Sequence, residues 1–188
     1  MLAKFIKESI NKQREFLIQA IDDLTSEELR WQATPEANTI QWILWHMFRV
    51  EDTWIQFFIQ NHTEIWEHRN WTDVFGLPPR DNGFGHTVEQ VSHFPNLDLA
   101  KLLAYGEEVR QGTLAYLSDL DSNEFNLVPR ERRPNITVAD VFRQVIGEFY
   151  QHTGQIAYIK GMMRGANAFP PNYTAPSLTQ GVMIHQVY

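Results

Sequence analysis

Between Thr137 and Arg164 apolar side chains recur every three or four positions, and Val145, Phe149, Ile156, Ile159 and Met163 form one stripe. That period belongs to an α-helix that packs on a core by one face. Glu148 and His152 lie on or beside the stripe, four residues apart, so both side chains leave the same side of the helix one turn from each other. A carboxylate and an imidazole turned inward together are costly unless something satisfies them. A metal ion would do so, and so would an i,i+4 salt bridge; spacing alone leaves both open.

Three other segments share the helical period. Residues 2–24 carry Leu2, Phe5, Ile6, Ile10, Phe16, Leu17, Ala20, Ile21 and Leu24 on one side, with Lys and Glu opposite. A second helix over 39–60 starts at Asn38 or Thr39 as N-cap and presents Ile40, Ile43, Leu44, Met47, Val50, Trp54, Phe57 and Phe58, with His46 at the edge of that face. A third covers 97–120. The fourth, 137–164, opens on Thr137 with Asp140 as a capping box and stops at Gly165. Residues 61–95 lack helical periodicity and contain Gly76, Pro78, Pro79, Gly83, Gly85 and Pro95. An irregular connection of about 35 residues is uncommon in a compact domain and is usually functional or a crossover. Its Trp66, Trp71, Phe75 and Phe84 are expected to cover apolar surface, and its His62, His68, His86 and His93 read by default as exposed loop residues.

The segment Leu24-Thr25-Ser26-Glu27-Glu28-Leu29 is echoed by Leu120-Asp121-Ser122-Asn123-Glu124-Phe125, each after a long helix and before a Thr-initiated one. Two helix pairs joined by a long crossover predict an all-α four-helix bundle in up-down-down-up order, one domain over residues 1–165. Residues 166–188, with Pro170, Pro171 and Pro176, are expected to form an irregular tail docked on the bundle or on a second subunit.

Composition narrows the function. The 188 residues carry a formal net charge of −7 and no basic run, which argues against nucleic acid or an anionic membrane as partner. There is neither a leader pattern nor an apolar run near the roughly 20 residues of a membrane span, so a cytoplasmic protein is expected. There is no cysteine, so a transition-metal site must be built from His, Asp and Glu. His46, Glu148 and His152 supply two imidazoles and one carboxylate, a set that suits a divalent first-row metal and leaves a position open for water or substrate. Hydrogen-bonded core histidines are the alternative. Weaker candidates follow. Glu51 and Asp52, near Arg49, are either partners of the ligands or solvated helix surface. Tyr150 and Gln155 can orient water or substrate, and Gly154 can permit close helix packing. Trp42 and Trp45 are pocket wall or aromatic core. Arg164 is a carboxylate anchor or a basic residue answering the helix dipole.

The run Asn38-Thr39-Ile40-Gln41-Trp42-Ile43-Leu44-Trp45-His46, followed by Arg49, Glu51, Asp52 and Trp54, resembles the second helix of the DinB-like superfamily. Its partner motif is Glu148-x-x-x-His152-x-Gly154-Gln155, ending at Arg164-Gly165, and the connection supplies Gly83-x-Gly85-His86-Thr87-x-Glu89-x-Val91. The resemblance runs from Leu2 to Gly165. It implies a four-helix bundle, usually homodimeric, with a three-ligand metal site. Many members carry His at both fourth-helix positions, whereas Glu148 matches the His, Glu, His set of the mycothiol-dependent maleylpyruvate isomerase branch. The isomerase's further C-terminal domain is missing here, so its substrate does not carry over. By position the implied ligands are His46, Glu148 and His152.

Related members are S-transferases that use bacillithiol or mycothiol. The resemblance therefore implies a zinc- or nickel-dependent enzyme, with iron also compatible, that activates a low-molecular-weight thiol against a small electrophile. Such an ion lowers the pKa of a thiol and keeps it as thiolate at neutral pH. Metal-dependent hydrolysis at the same site, and a non-catalytic stress-associated metal-binding protein, are the competing expectations.

Overall fold

The computed structural model describes residues 1–165 and Ala168. The expected docking of the tail therefore lies outside the described residues, Ala168 apart. The described chain is all-α, with four long helices and no strand among the described residues. They are α1 (Leu2–Ile21), α3 (Ile40–Asp52, continued by a π-helical segment Thr53–Ile59), α7 (Leu99–Asp119) and α8 (Val138–Arg164). Short helices fill the connections: α2 (Ser26–Leu29), α4 (Ile65–His68), α5 (Trp71–Phe75) and α6 (Val88–Ser92). The segment read as lacking helical periodicity thus holds three single-turn helices, too short to show a repeat. No described helix is long and apolar enough to cross a membrane.

Local chemistry sets the boundaries. The side chain of Thr39 accepts from the Trp42 amide and so starts α3. Thr25 with Glu28, Thr87 with Gln90 and Thr137 with Asp140 form reciprocal capping boxes at α2, α6 and α8. The sequence echo is structural as well: a helical turn follows α1 as α2, and a 3₁₀ turn, Glu124–Asn126, follows α7.

Helix α1 packs on α8 and α7, and α3 packs on both α7 and α8, so the four share one apolar core. Gly106 of α7 lies where α3 comes closest, and a Cβ there would fall 2.7 Å from the Phe48 ring. At the far end of α8, Lys160 and Arg164 reach Asp23 at 2.6 and 2.5 Å, and Arg164 also grips Glu28 at 2.6 Å. Arg164 is therefore a structural clamp on the α1–α2 corner rather than a substrate anchor.

All thirteen residues of α3 are buried, including Arg49, Glu51 and Asp52. The reading of Glu51 and Asp52 as solvated helix surface is corrected: the crossover over residues 61–95 folds back over Arg49 and Asp52, and α7 meets Glu51. Asp52 accepts from the Ile65 and Trp66 amides at 2.9 and 2.8 Å and from the Tyr105 hydroxyl at 2.9 Å. Burial pushes its carboxyl up to about 6, against the pull of those amides and of Arg49. Arg49 donates to the Glu64 carboxylate at 2.5 Å and to the carbonyls of Pro79 and Asp81 at 3.1 and 2.9 Å, while lying 4.9 Å from the Trp66 ring centroid. Glu51 pairs with Arg110 of α7 at 2.9 Å. As expected, Trp66 is buried, and Trp71 and Phe75 are half-buried, with the Phe75 ring stacked between those of Trp66 and Trp71. Phe84 departs from expectation: it is 89% exposed.

Three substitutions test this packing. Gly106→Ala should lower stability by about 1–3 kcal/mol through overpacking against Phe48. Gly147→Ala, at an exposed helical site with open space around it, should raise it by about 0.5–1 kcal/mol; urea denaturation measures both. Arg49→Leu leaves the buried Glu64 and Asp52 carboxylates without their cation, which should cost about 3–5 kcal/mol. Hydrogen exchange should show residues 61–86 losing protection first.

Candidate metal centre

Helices α3 and α8 cross so that His46 faces Glu148 and His152. One ligand atom from each of the three lies within 4.8 Å of the other two. The two imidazole rings meet edge to face with centroids 5.1 Å apart. Both histidines are buried and Glu148 is half-buried.

Each ring is held from behind. His46 Nδ1 bonds to the backbone carbonyl of Asn82, which can only accept, so Nδ1 carries the proton and Nε2 keeps its lone pair. Trp42 stacks on the same ring at 5.0 Å and 12°. His152 Nδ1 lies 2.7 Å from the amide oxygen of Gln155, which holds the ring from behind and turns Nε2 toward Glu148. That Nε2 faces Glu148 Oε2 at 3.0 Å, while Gln144 donates to Glu148 Oε1 at 2.6 Å. An Nε2–H donating to the carboxylate, as in an i,i+4 salt bridge, fits that distance, and so does a metal ion held by both atoms. Acceptors behind both ligating rings are the usual support of a metal-binding histidine. Burial pushes the His46 imidazolium down from its ordinary value, with the Asn82 carbonyl opposing, so the ring is neutral and able to donate its lone pair. The donor set, its spacing and its outer hydrogen bonds fit a divalent ion.

The crossover makes this geometry. Gly83, at φ +82°, sits against Trp42 and Trp45 where a Cβ would come within 2.6 and 2.9 Å of their rings. A side chain there would push the loop, and the Asn82 carbonyl with it, away from His46. His86 locks the loop further: its Nε2 donates to Asp81 at 2.9 Å, and its Nδ1 accepts from the Trp42 indole at 3.2 Å. Asp81 in turn accepts from the Gly83 amide.

Among the remaining candidates, His62, His68 and His93 are exposed, as expected, whereas His86 is largely buried. Gln155 orients His152. Tyr150 is exposed and meets Phe16 of α1, away from the site. A Cβ on the exposed Gly154 would meet nothing within 4 Å, so it is not a helix-packing residue. Trp42 lines the centre, whereas Trp45 is core. Sequence reasoning missed Asn82 and Gln144. Gln144 was findable, since Gln144, Glu148 and His152 follow at successive helical turns. Asn82 acts through its carbonyl, which any residue carries, and so left no signal.

A cleft of about 440 Å³ opens beside the centre. His46 and Glu148 form its polar end, with Asn82 and Gln144, and Val50, Trp54, Phe57, Phe58 and Phe84 form its apolar wall.

No curated protein matches this chain. A crystal structure titled as a conserved protein of a locus from Enterococcus faecalis is similar, with a TM-score of 0.77 over 86% of this chain and 96% of that one. At 20% identity that likeness shows the fold alone. A family model described as mycothiol-S-transferase matches residues 5–165, a span that includes His46, Glu148 and His152. The chain therefore belongs to the mycothiol-S-transferase family, a DinB/YfiT-like metal-binding family of thiol S-transferases.

Proposed function

We propose that this chain transfers a low-molecular-weight thiol, mycothiol by family, to an electrophilic carbon with His46, Glu148 and His152 as ligands of a divalent ion. Zinc or nickel suits the set best, and iron is compatible with it. The observation that carries the reading is the convergence of the three donor atoms with both histidine Nδ1 positions already committed to acceptors. The proposal includes the finer architecture, an up-down-down-up bundle formed by residues 1–165 as one domain, and a homodimer working in the cytoplasm.

A bound divalent ion supplies positive charge that lowers the pKa of a thiol and keeps it as thiolate at neutral pH. The protein's own groups do the rest. Asn82 and Gln155 hold the imidazoles in one tautomer and orientation, so no rearrangement is needed on binding. Gln144 fixes one carboxylate oxygen of Glu148 and leaves the other toward the centre. The aromatic wall excludes water and places the electrophile beside the polar end of the cleft. In the reaction the thiol proton passes to solvent and a sulfur–carbon bond forms. The electrophile then releases its leaving group with the bonding pair or, if it is an activated double bond, takes up a proton at the neighbouring carbon. The chain has no cysteine, in keeping with a nucleophile that arrives with the thiol substrate.

Purification without added metal should yield about one zinc, nickel or iron ion per chain. His152→Ala should lose that ion while keeping its far-ultraviolet circular dichroism; retention of stoichiometric metal by the variant would remove the proposal. Electrophile consumption should require a thiol when tested against a panel that includes mycothiol, bacillithiol and glutathione. Consumption at the same rate without thiol would instead indicate hydrolysis.

A further inference from the structure

The π-helical segment that continues α3 borders two depressions. Thr53 and Phe57 line both the cleft at the candidate metal centre and a second hollow of about 410 Å³, so the two adjoin across these residues. Their walls differ in kind. Apart from Phe57, every residue lining the hollow is polar or charged. Thr53 and Thr63 bring hydroxyls and Asn61 an amide. Arg80 and Glu67 bring charges of opposite sign, and neither side chain makes a hydrogen bond or ion pair among the described residues. The buried Glu64 carboxylate is already met by Arg49 at 2.5 Å.

The rim of this hollow is held in place. The segment closes where the His62 amide donates to the Gln56 carbonyl at 2.9 Å, and Asn61 sits at φ +60°, a conformation uncommon outside glycine. Arg130, from the α7–α8 connection, donates to the carbonyls of Phe57 and Phe58 and, at 2.6 Å, to the side-chain oxygen of Asn61. That oxygen is thereby engaged, and the amide N–H groups of Asn61 remain to donate.

Hydroxyls, an amide and one uncommitted charge of each sign suit a ligand that donates and accepts at many points. A dianion would find its one cation offset by Glu67, and an apolar ligand would strip water from polar groups without replacing its hydrogen bonds. A polyhydroxylated ring answers the whole lining, with its hydroxyls on the polar groups and its C–H face on Phe57, which is 45% exposed. Such a ring carries no charge, so a divalent ion at His46, Glu148 and His152 exerts no net charge attraction or repulsion on it. The spacing also fits a thiol that reaches both places. Thr53 follows His46 by seven residues, about 10 Å along α3. The bonds from a sulfur through a cysteinyl amide and one sugar ring span a comparable length.

We propose that the hollow is the subsite for the polyhydroxylated part of the thiol substrate, whose sulfur lies at the metal centre and whose sugar-type rings cross Phe57 to reach Asn61, Glu67 and Arg80. Mycothiol, a cysteinyl amide of a glucosaminyl-inositol, belongs to this chemical class. The assignment rests on the transferase reading for the word substrate. Binding of the sulfur-free glycoside is a property of the hollow and is measured without any reaction.

Calorimetric titration of the full-length protein, with its metal content recorded, uses N-acetylglucosaminyl-inositol, N-acetylcysteine and mycothiol as probes. The sulfur-free glycoside should bind, and mycothiol should bind at least about tenfold more tightly than N-acetylcysteine. Arg80→Ala, at an exposed loop residue, and Glu67→Gln should each weaken the glycoside by about threefold to tenfold, with metal content and circular dichroism unchanged. No binding of the glycoside, or unchanged binding in both variants, would overturn the proposal. Tighter binding of glucosaminyl malate than of the inositol glycoside would show that Arg80 takes a carboxylate, and would overturn it as well. Electrophile consumption separates the two levels. If the glycoside binds but no thiol is consumed, the transfer chemistry fails and the hollow keeps its ligand class. If mycothiol and N-acetylcysteine are transferred equally well and the glycoside does not bind, the subsite alone fails.

Discussion

The buried guanidinium of Arg49 is the interaction on which the rest of this structure depends. A helix with Arg, Glu and Asp within four residues would ordinarily turn them to water. Here the crossover wraps over Arg49 and Asp52 while Arg110 of α7 meets Glu51; Arg49 ties Glu64, Pro79 and Asp81 to α3, and Asp52 receives the first amides of α4. Each buried charge has a partner, as burial requires. The outcome is a long connection tied to α3 at several points, and those ties reach the centre. The residue next to Asp81 is Asn82, whose carbonyl fixes His46. A stability network and a ligand-orienting contact are therefore consecutive on one strand of chain.

The same wrapping explains which parts of the molecule were legible in the sequence. The four long helices were readable because each repeats an apolar position every third or fourth residue over several turns, and because Thr39 and Thr137 mark their starts. The pairing of Glu148 with His152 was readable from their spacing, and His46 from its place at the edge of an apolar stripe. The burial of Glu51 and Asp52 was not readable, because a charged residue on a helix says nothing about a cover that arrives from α7 or from residues 61–95. The short helices α4, α5 and α6 were missed since four or five residues show no period. The exposure of Phe84 was not readable either. An aromatic residue in a loop is expected to cover something, and Phe84 instead stands open over a cleft whose other walls come from α3, its π-helical continuation, α8 and Asn82.

The candidate metal centre divides its work between the two chain halves. Helix α8 supplies three consecutive turns, with Gln144 holding Glu148, Glu148 facing His152, and Gln155 holding His152 from behind. Helix α3 supplies only His46, yet that ring is the more constrained, stacked on Trp42 and bonded to the crossover. Such preorganisation would let a bound ion find its ligands already oriented, and the polar end built in this way opens on an aromatic cleft.

His46, Glu148 and His152 are proposed to bind one divalent ion jointly. Anomalous scattering from crystals of the metal-loaded protein, recorded at the absorption edge of the bound metal, tests this most directly. The predicted result is a single peak at about 2.0–2.2 Å from both imidazole Nε2 atoms and a Glu148 oxygen. A peak elsewhere, or none at this position with His152 Nε2 still hydrogen-bonded to Glu148, would contradict it.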